Sequence, residues 1–327
     1  MAEVYKNSND IIKTKVFWRS ELVDPGSSVL VVIYDITKDP KISPPINPNT
    51  PVAIITATED DVNPGTYFIS IPFNLTTRNR KFKLTWQVTV SGQTEFLTTY
   101  CDVVTPYVSI AEAVDDLNLG SDPSDPMYKD YHEIKMAEKY ARKQVEAYTG
   151  QKFYLHDDKF RVMGNDSDTL TLPSKIYQMH TLKQNDQMWV DNLNNINSLG
   201  YLIEPTTSGF GIKINQSSLL DNDVYISNGM VPPSIHDISP NIFRRNKSYD
   251  VYGRFGWEYV PDAVEQATIE IMRSYFAKDR AWRDKYVKKI STTDWDFEFK
   301  SEAFTGTGSA YADKLLADYV VTQMVVV

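Results

Sequence analysis

The stretch Tyr249-Asp250-Val251-Tyr252-Gly253-Arg254-Phe255-Gly256-Trp257-Glu258-Tyr259-Val260-Pro261 decides how the second half of this chain is read. Tyr249 to Tyr252 is a short β-prone run. Gly253 and Gly256 flank Arg254-Phe255 and point to a sharp turn or to positive φ angles. Pro261 then opens a helix, where its missing N–H costs nothing. Val264, Ala267, Ile271 and Tyr275 step along one face of that helix, which is expected to run from 261 to 290 past Trp282 and Tyr286. Thr292 to Phe299 reads as extended. Gly306-Thr307-Gly308 reads as a loop, and Ser309 caps a last helix, 309–320, through Leu315, Leu316 and Tyr319. The chain ends on Val325-Val326-Val327.

Working back from that stretch, residues 154–255 alternate with period two in short runs separated by Asn-rich loops, which predicts a large β-rich insertion between helices. Before it, Ile134, Ala137, Ala141, Val145 and Tyr148 mark one apolar face of a helix over 126–149. Asp125 is its expected N-cap, Pro126 its first residue and Gly150 its stop. Ser109-Ile110-Ala111-Glu112 has the form of a capping box and starts a shorter helix, 109–119.

Residues 1–105 read differently. Val29 to Ile36 is a continuous apolar strand, and Pro64-Gly65 turns the chain into Tyr67 to Ile71. Phe82 to Val90 alternates around Trp86, and Ser91-Gly92 closes a hairpin with Thr94 to Val104. Short β-branched runs with turn signals at this spacing predict a sandwich of immunoglobulin-like type. The fold class expected for the whole chain is therefore multidomain α+β: an all-β sandwich over 1–105, and a helical domain with a β insertion over 106–327.

Composition bounds the function. The 327 residues carry a formal net charge of −9, which argues against wrapping nucleic acid around a basic face. The 20 tyrosines and 6 tryptophans suit large contact surfaces, or equally an aromatic β core. The single cysteine, Cys101, allows no intrachain disulfide, and no signal peptide or membrane anchor is expected, so the chain is read as made in a reducing cytoplasm. His132, His156, His180 and His236 are scattered, without zinc-ligand spacing. Gly306-Thr307-Gly308-Ser309 lacks the lysine of a phosphate-binding loop, and no G-x-S-x-G pattern occurs. No cofactor, metal or catalytic residue is expected, and the chain is not read as an enzyme.

The order of these features resembles the head–tail connector, or adaptor, proteins of tailed bacteriophages. The resemblance rests on the helix end Tyr148-Thr149-Gly150-Gln151-Lys152-Phe153, followed after a β insert by Gly253-Arg254-Phe255-Gly256-Trp257 and Val260-Pro261, and it spans Tyr107 to Val327. The large insert and the N-terminal sandwich are departures from the minimal family. The resemblance implies a virion neck protein that forms a ring of roughly twelve subunits under the portal. That ring extends the DNA channel, lets DNA pass without specific binding, and meets the tail or other neck proteins. The sandwich is expected at the periphery, toward fibres, a collar or the capsid vertex. Trp295, Phe297, Phe299, Phe304, Tyr311, Leu315, Leu316, Tyr319, Val320, Val325, Val326 and Val327 are the candidates for gripping the portal or a neighbour, although the aromatic ones suit packing on the subunit itself as well. On this reading, removing Leu315 to Val327 spares the fold and abolishes docking. A different class of function, a receptor- or glycan-binding tail or fibre component, also suits a sandwich with exposed aromatics.

Overall fold

The computed structural model describes residues 2–18, 21–22, 28–37, 50–90, 93–120, 122–167, 169–184, 187–191, 201–206, 209–214, 243–276, 287–290, 297–299 and 306–321. The chain is mixed α+β and divides into two compact units, Met1–Thr105 and Pro106–Val327.

In the first unit the strands are β1 (Ala2–Tyr5), β2 (Ile11–Lys15), β3 (Phe17–Trp18), β4 (Glu21–Leu22), β5 (Leu30–Asp35), β6 (Pro51–Thr56), β7 (Thr58–Glu59), β8 (Thr66–Ser70), β9 (Lys81–Val90) and β10 (Gln93–Val104), with a single helical turn α1 (Phe73–Thr76). One sheet has the order β1-β10-β9-β5-β6 and another β2-β8-β7, while β3 and β4 form a hairpin. The alternation read around Trp86 is the physical alternation of β9: Phe82, Leu84, Trp86, Val88 and Val90 are buried, and the residues between them are not. They share one core with Val31 and Ile33 of β5 and with Tyr67 and Ile69 of β8, so the two larger sheets pack face to face. The Trp86 indole is fully buried and its Nε1–H donates to Thr99 Oγ1 at 2.9 Å, which removes the cost of burying that group.

The second unit begins with two helices. In α2 (Ile110–Asp116) the Ser109 hydroxyl accepts from the Glu112 amide and the Glu112 carboxylate accepts from the Ser109 amide. It is shorter than the expected 109–119, because the chain turns at Asn118 with φ 50°. α3 (Tyr131–Thr149) starts later than expected. Asp125 does not cap it: its carboxylate and carbonyl accept from Met127 and Tyr128 in a local turn. The capping box is Asp130 with Glu133, which overturns the expected start at 126. Gly150, at φ 70°, ends α3 and donates its N–H to the Glu146 carbonyl.

The β-rich region contains β11 (His156–Met163), β12 (Thr169–Leu172), β13 (Ile176–Gln184), β14 (Gln187–Asp191), β15 (Tyr201–Thr206), β16 (Gly209–Ile214) and β17 (Ser248–Phe255). They form a four-stranded antiparallel sheet, β11-β17-β13-β14, and a three-stranded one, β12-β16-β15. Leu170 and Leu172 of β12 and Ile212 of β16 join Met179, Leu182, Val251 and Phe255 in a single core. Helix α4 (Asp262–Phe276) packs on α3 with Val264, Ala267, Ile271 and Met272 buried. It does not extend as one helix to 290: Val287–Ile290 is a strand, β18, paired antiparallel with β19 (Phe297–Phe299). Helix α5 (Ala310–Leu316), capped by Ser309 and followed by a 3-10 turn over Ala317–Tyr319, packs against α4.

Candidate partner-binding surfaces

The residues named in sequence as motifs converge. Where α3 ends, the chain runs through Gln151 to Phe153, and the Phe153 ring packs against those of Trp257 and Tyr319, with centroids 5.9 and 5.5 Å away. Trp257 and Tyr319 are themselves in contact at 5.6 Å, and Tyr107 meets Phe153 edge-on at 5.7 Å. Two hydrogen bonds fasten the C-terminal turn to the end of α3: Gln151 Nε2 donates to the Tyr319 carbonyl at 2.6 Å, and the Val321 N–H donates to the Thr149 carbonyl at 3.0 Å.

Glycine makes this convergence possible at two points. Gly256 has φ 99°, its N–H donates to the Lys175 carbonyl at 2.8 Å, and a Cβ there would run into the Tyr154 carbonyl. At Gly253 the backbone of β13 comes so close that a Cβ would collide with the Gln178 carbonyl. The turn then places Trp257, and Lys175 Nζ sits 3.5 Å from the centroid of its ring. Pro261 stands just before α4, where its carbonyl accepts from Val264 and Glu265.

Beneath this hub lies a buried polar network that sequence reasoning missed. Glu138 and Arg142 are both fully buried, four residues apart on α3, with Arg142 Nε 3.2 Å from Glu138 Oε1. The same carboxylate oxygen accepts the Tyr107 N–H at 2.9 Å. The Tyr107 hydroxyl donates to Glu146 at 3.3 Å and accepts from the Phe153 N–H at 2.9 Å. Burial, and then the Glu146 charge, push the Tyr107 phenol well above its ordinary range, so it stays a neutral donor. The network ties residue 107 to both the middle and the end of α3. Its signal in the sequence was a Glu and an Arg within the stripe otherwise read as apolar.

The expected gripping residues separate into groups. Leu316 is fully buried, and Tyr319 is built into the hub, so both serve the subunit's own fold. Removing Leu315 to Val327 would therefore strip a core element, contrary to the expectation that the fold is spared. Tyr311 and Val320 are exposed and Leu315 is half-buried. Phe297 and Phe299 stand in β19, where only the backbone pairing is described. Trp295, Phe304, Val325, Val326 and Val327 lie outside the described residues, as do Trp282, Tyr286 and His236. The Gly306–Ser309 loop is tied to the first turn of α5: Asp313 Oδ1 accepts from both the amide and the hydroxyl of Thr307, at 2.8 and 2.7 Å.

Two exposed patches were not foreseen. On the outward face of the five-stranded sheet, Phe96 (64% exposed) lies in one cross-strand row with Gln87 and Leu30, and Ile54 (63% exposed) in the next with Val32, Thr85 and Thr98. In the second unit, Tyr140 of α3 and Tyr275 of α4 are both exposed and pack ring to ring at 5.4 Å. Among the described residues, no group of three or more His, Cys, Asp and Glu is placed to hold a metal ion, and no helix is long and apolar enough to cross a membrane.

Comparison with protein families and with curated proteins finds no match. Among solved structures, the chain is similar to a component of the neck of an empty gene transfer agent particle, at 13% identity and a TM-score of 0.34, with 68% of this chain and 93% of the other covered. It is similar also to a chain in the virion of a native gene transfer agent particle, at 12% identity and a TM-score of 0.35, with the same coverage. Likenesses of this size carry no argument about this chain.

Proposed function

We propose that this chain is a structural protein of a phage-like virion, an adaptor of the neck. It forms a ring of roughly twelve copies docked on the portal, joins the DNA-filled head to the tail, and extends the DNA channel. The observation that supports this is the hub. The Thr149-Gly150 helix end, the Gly253 to Trp257 turn and the C-terminal turn at Tyr319 meet at one point. These are the segments on which the resemblance to connector proteins rests, together with the helix that closes the chain.

On this reading α3, α4 and α5 form the ring subunit, and the exposed Tyr311 and Val320 lie on the side offered to the portal. The N-terminal unit is an immunoglobulin-like sandwich on the periphery, where it meets fibres, a collar or other neck proteins. A net charge of −9 suits a channel wall that DNA passes without adhering. The chain is assembled in the host cytoplasm and resides in the virion.

Mixing the purified chain with portal particles and imaging them by negative stain tests this. Added density of ring form on the portal is expected, and unaltered portals at saturating chain would contradict it.

One observation favours a second reading. Phe96 and Tyr100 project from the same face of β10, and both are exposed beside the polar Thr98 and Gln87. That arrangement suits stacking on a glycan, as expected of a receptor- or glycan-binding tail component. Binding of host polysaccharide that Phe96→Ala abolishes would favour it.

A further inference from the structure

The five-stranded sheet of the first unit ends in β6 on one side and, beyond the short β1, in β10 on the other. Among the described residues, β1 pairs with β10 over 101–104 only, and no strand pairs with 93–100 on that side. Likewise, β6 pairs with β5 alone. Sheet edges are ordinarily blunted by charged side chains or proline. Here 93–100 carries one charge, Glu95, and β6 carries none. Phe96 of β10 and Ile54 of β6 are the most exposed apolar side chains of the outward face, with Tyr100 exposed beyond Phe96. Leu97 belongs to the opposite, core-facing side together with the fully buried Trp86, yet it is 40% exposed, so that side too lies uncovered at this edge.

Backbone hydrogen bonds fix which groups each edge offers. The Val104 carbonyl accepts from Lys6 on the β1 side, while the Val103 N–H donates to the Arg80 carbonyl on the β9 side. The β9–β10 register is unbroken, so Thr94, Phe96, Thr98 and Tyr100 aim their N–H and C=O groups away from β9. At the other edge the Ala57 N–H donates to the Val29 carbonyl, so Val52, Ile54 and Thr56 aim theirs away from β5. At both edges these same residues carry their side chains on the outward face, since Ile54, Val32, Thr85 and Thr98 form one cross-strand row. A shift of one residue at either edge would instead set the outward face of one sheet flush with the core face of the other. Strand senses agree as well. The strands β10, β9, β5 and β6 alternate in direction, so β6 runs antiparallel to β10 of a second copy set beside it with the same face outward.

We propose that β6 of one copy pairs antiparallel with residues 94–100 of β10 in a second copy, joining their first units into one continuous sheet. Ile54 then stands opposite Phe96 and Val52 opposite Thr98 on the outward face, and Ala53 opposite Leu97 on the other. That register covers Phe96, Ile54 and Leu97 together and sets an aromatic side chain against a β-branched one. Two different edges meet, so the contact propagates head to tail and closes into a ring when the rotation permits. The inference deepens the ring reading, on which its closure rests, by naming the strands through which neighbouring first units meet. Phe96 is then covered in the assembly and open to a glycan only in the free subunit.

Sedimentation velocity and hydrogen exchange of the full chain test it, with circular dichroism to verify folding. As concentration rises, the wild-type chain is expected to associate and exchange is expected to slow over both 51–56 and 93–100, because their outward amides become paired. Association should change little between about 50 and 500 mM salt, since one charge alone lies in the pairing segments. Phe96→Lys, and separately Ile54→Lys, should each return the exchange of both segments to the rate of the free subunit and weaken this pairing at least about tenfold. Phe96→Lys combined with Ile54→Glu sets opposite charges across the pair and should restore it. Association that leaves exchange unchanged over both segments, or a combined variant that stays unprotected, would overturn the edge contact while leaving the ring reading intact. A dimer protected over 93–100 alone would show β10 pairing with itself and overturn β6 as its partner. A wild-type chain that is monomeric at every concentration would overturn both the contact and the ring.

Discussion

The Tyr319 ring stands 5.6 Å from that of Trp257, with the two planes at 63°. One residue belongs to the turn that leads into α4 and the other to the last described turn of the chain. Phe153, in contact with both, brings the end of α3 to the same point. The C-terminal segment is thus a structural member of the unit before it is anything else.

Tyr319→Ala should therefore destabilise the chain by about 2–4 kcal/mol, the range for deleting a large, partly buried ring. Hydrogen exchange should show the loss spreading over 310–321, since the Gln151 bond to the Tyr319 carbonyl loses its support. Urea denaturation gives the magnitude. Exchange unchanged over that segment would mean that the ring contacts contribute little.

Truncation after Val321 should behave differently from removal of Leu315 to Val327. The shorter cut keeps Leu316, Tyr319 and the Val321 bond to the Thr149 carbonyl, and should leave the thermal midpoint within a few degrees. The longer cut removes a fully buried leucine and the hub tyrosine and should lower it sharply. Binding to portal should be lost with the shorter cut if the terminal valines form the grip.

Arg142→Ala leaves two glutamates facing a buried void and should cost about 3–5 kcal/mol in denaturation experiments. Replacing the pair together, Arg142→Met with Glu138→Leu, should recover part of that loss. The Tyr107 N–H would still lack its acceptor, so recovery should be incomplete.

Asp250 gives a pH-dependent test. Its carboxyl is held far below the ordinary carboxylate range, chiefly by Arg161, whose Nε and a second guanidinium nitrogen donate at 2.6 and 2.9 Å, and also by Lys159. A folded-state value below the unfolded value of about 3.9 means that the stabilisation is complete above that pH and is lost as pH falls further. The stability difference between wild type and Asp250→Asn should thus be constant from pH 5 to 8 and shrink below pH 4. Arg161 is largely exposed, so the difference should also shrink in 0.5 M salt. A difference that grows on acidification would contradict the assignment.

Much of the local structure was legible in the chain. Ser109 and Glu112 signalled their capping box, and Phe82 to Val90 displayed its buried face by alternation. The start of α3 was misplaced because Asp125-Pro126 offers the same chemistry as a helix cap but satisfies it in a turn. The competing Asp130 and Glu133 pair has the same three-residue spacing. Val287–Ile290 looked like helix by continuation from α4, yet its Val and Ile ends suit the strand it forms. Of the candidate surfaces, Tyr311 and Val320 are exposed as a docking role needs, whereas Leu316 is not. An apolar residue near a terminus carries no mark of whether its partner lies in its own fold. The hub could be named residue by residue but not assembled, since the separation between Thr149 and Val321 is bridged only by tertiary contacts.

The mass of the assembled particle tests the central claim most directly. Native mass measurement of the full chain, alone and with portal, should give a large ring of roughly twelve copies that adds to the portal as a unit. A discrete trimer that ignores portal would contradict the adaptor reading and turn attention to the glycan-binding one.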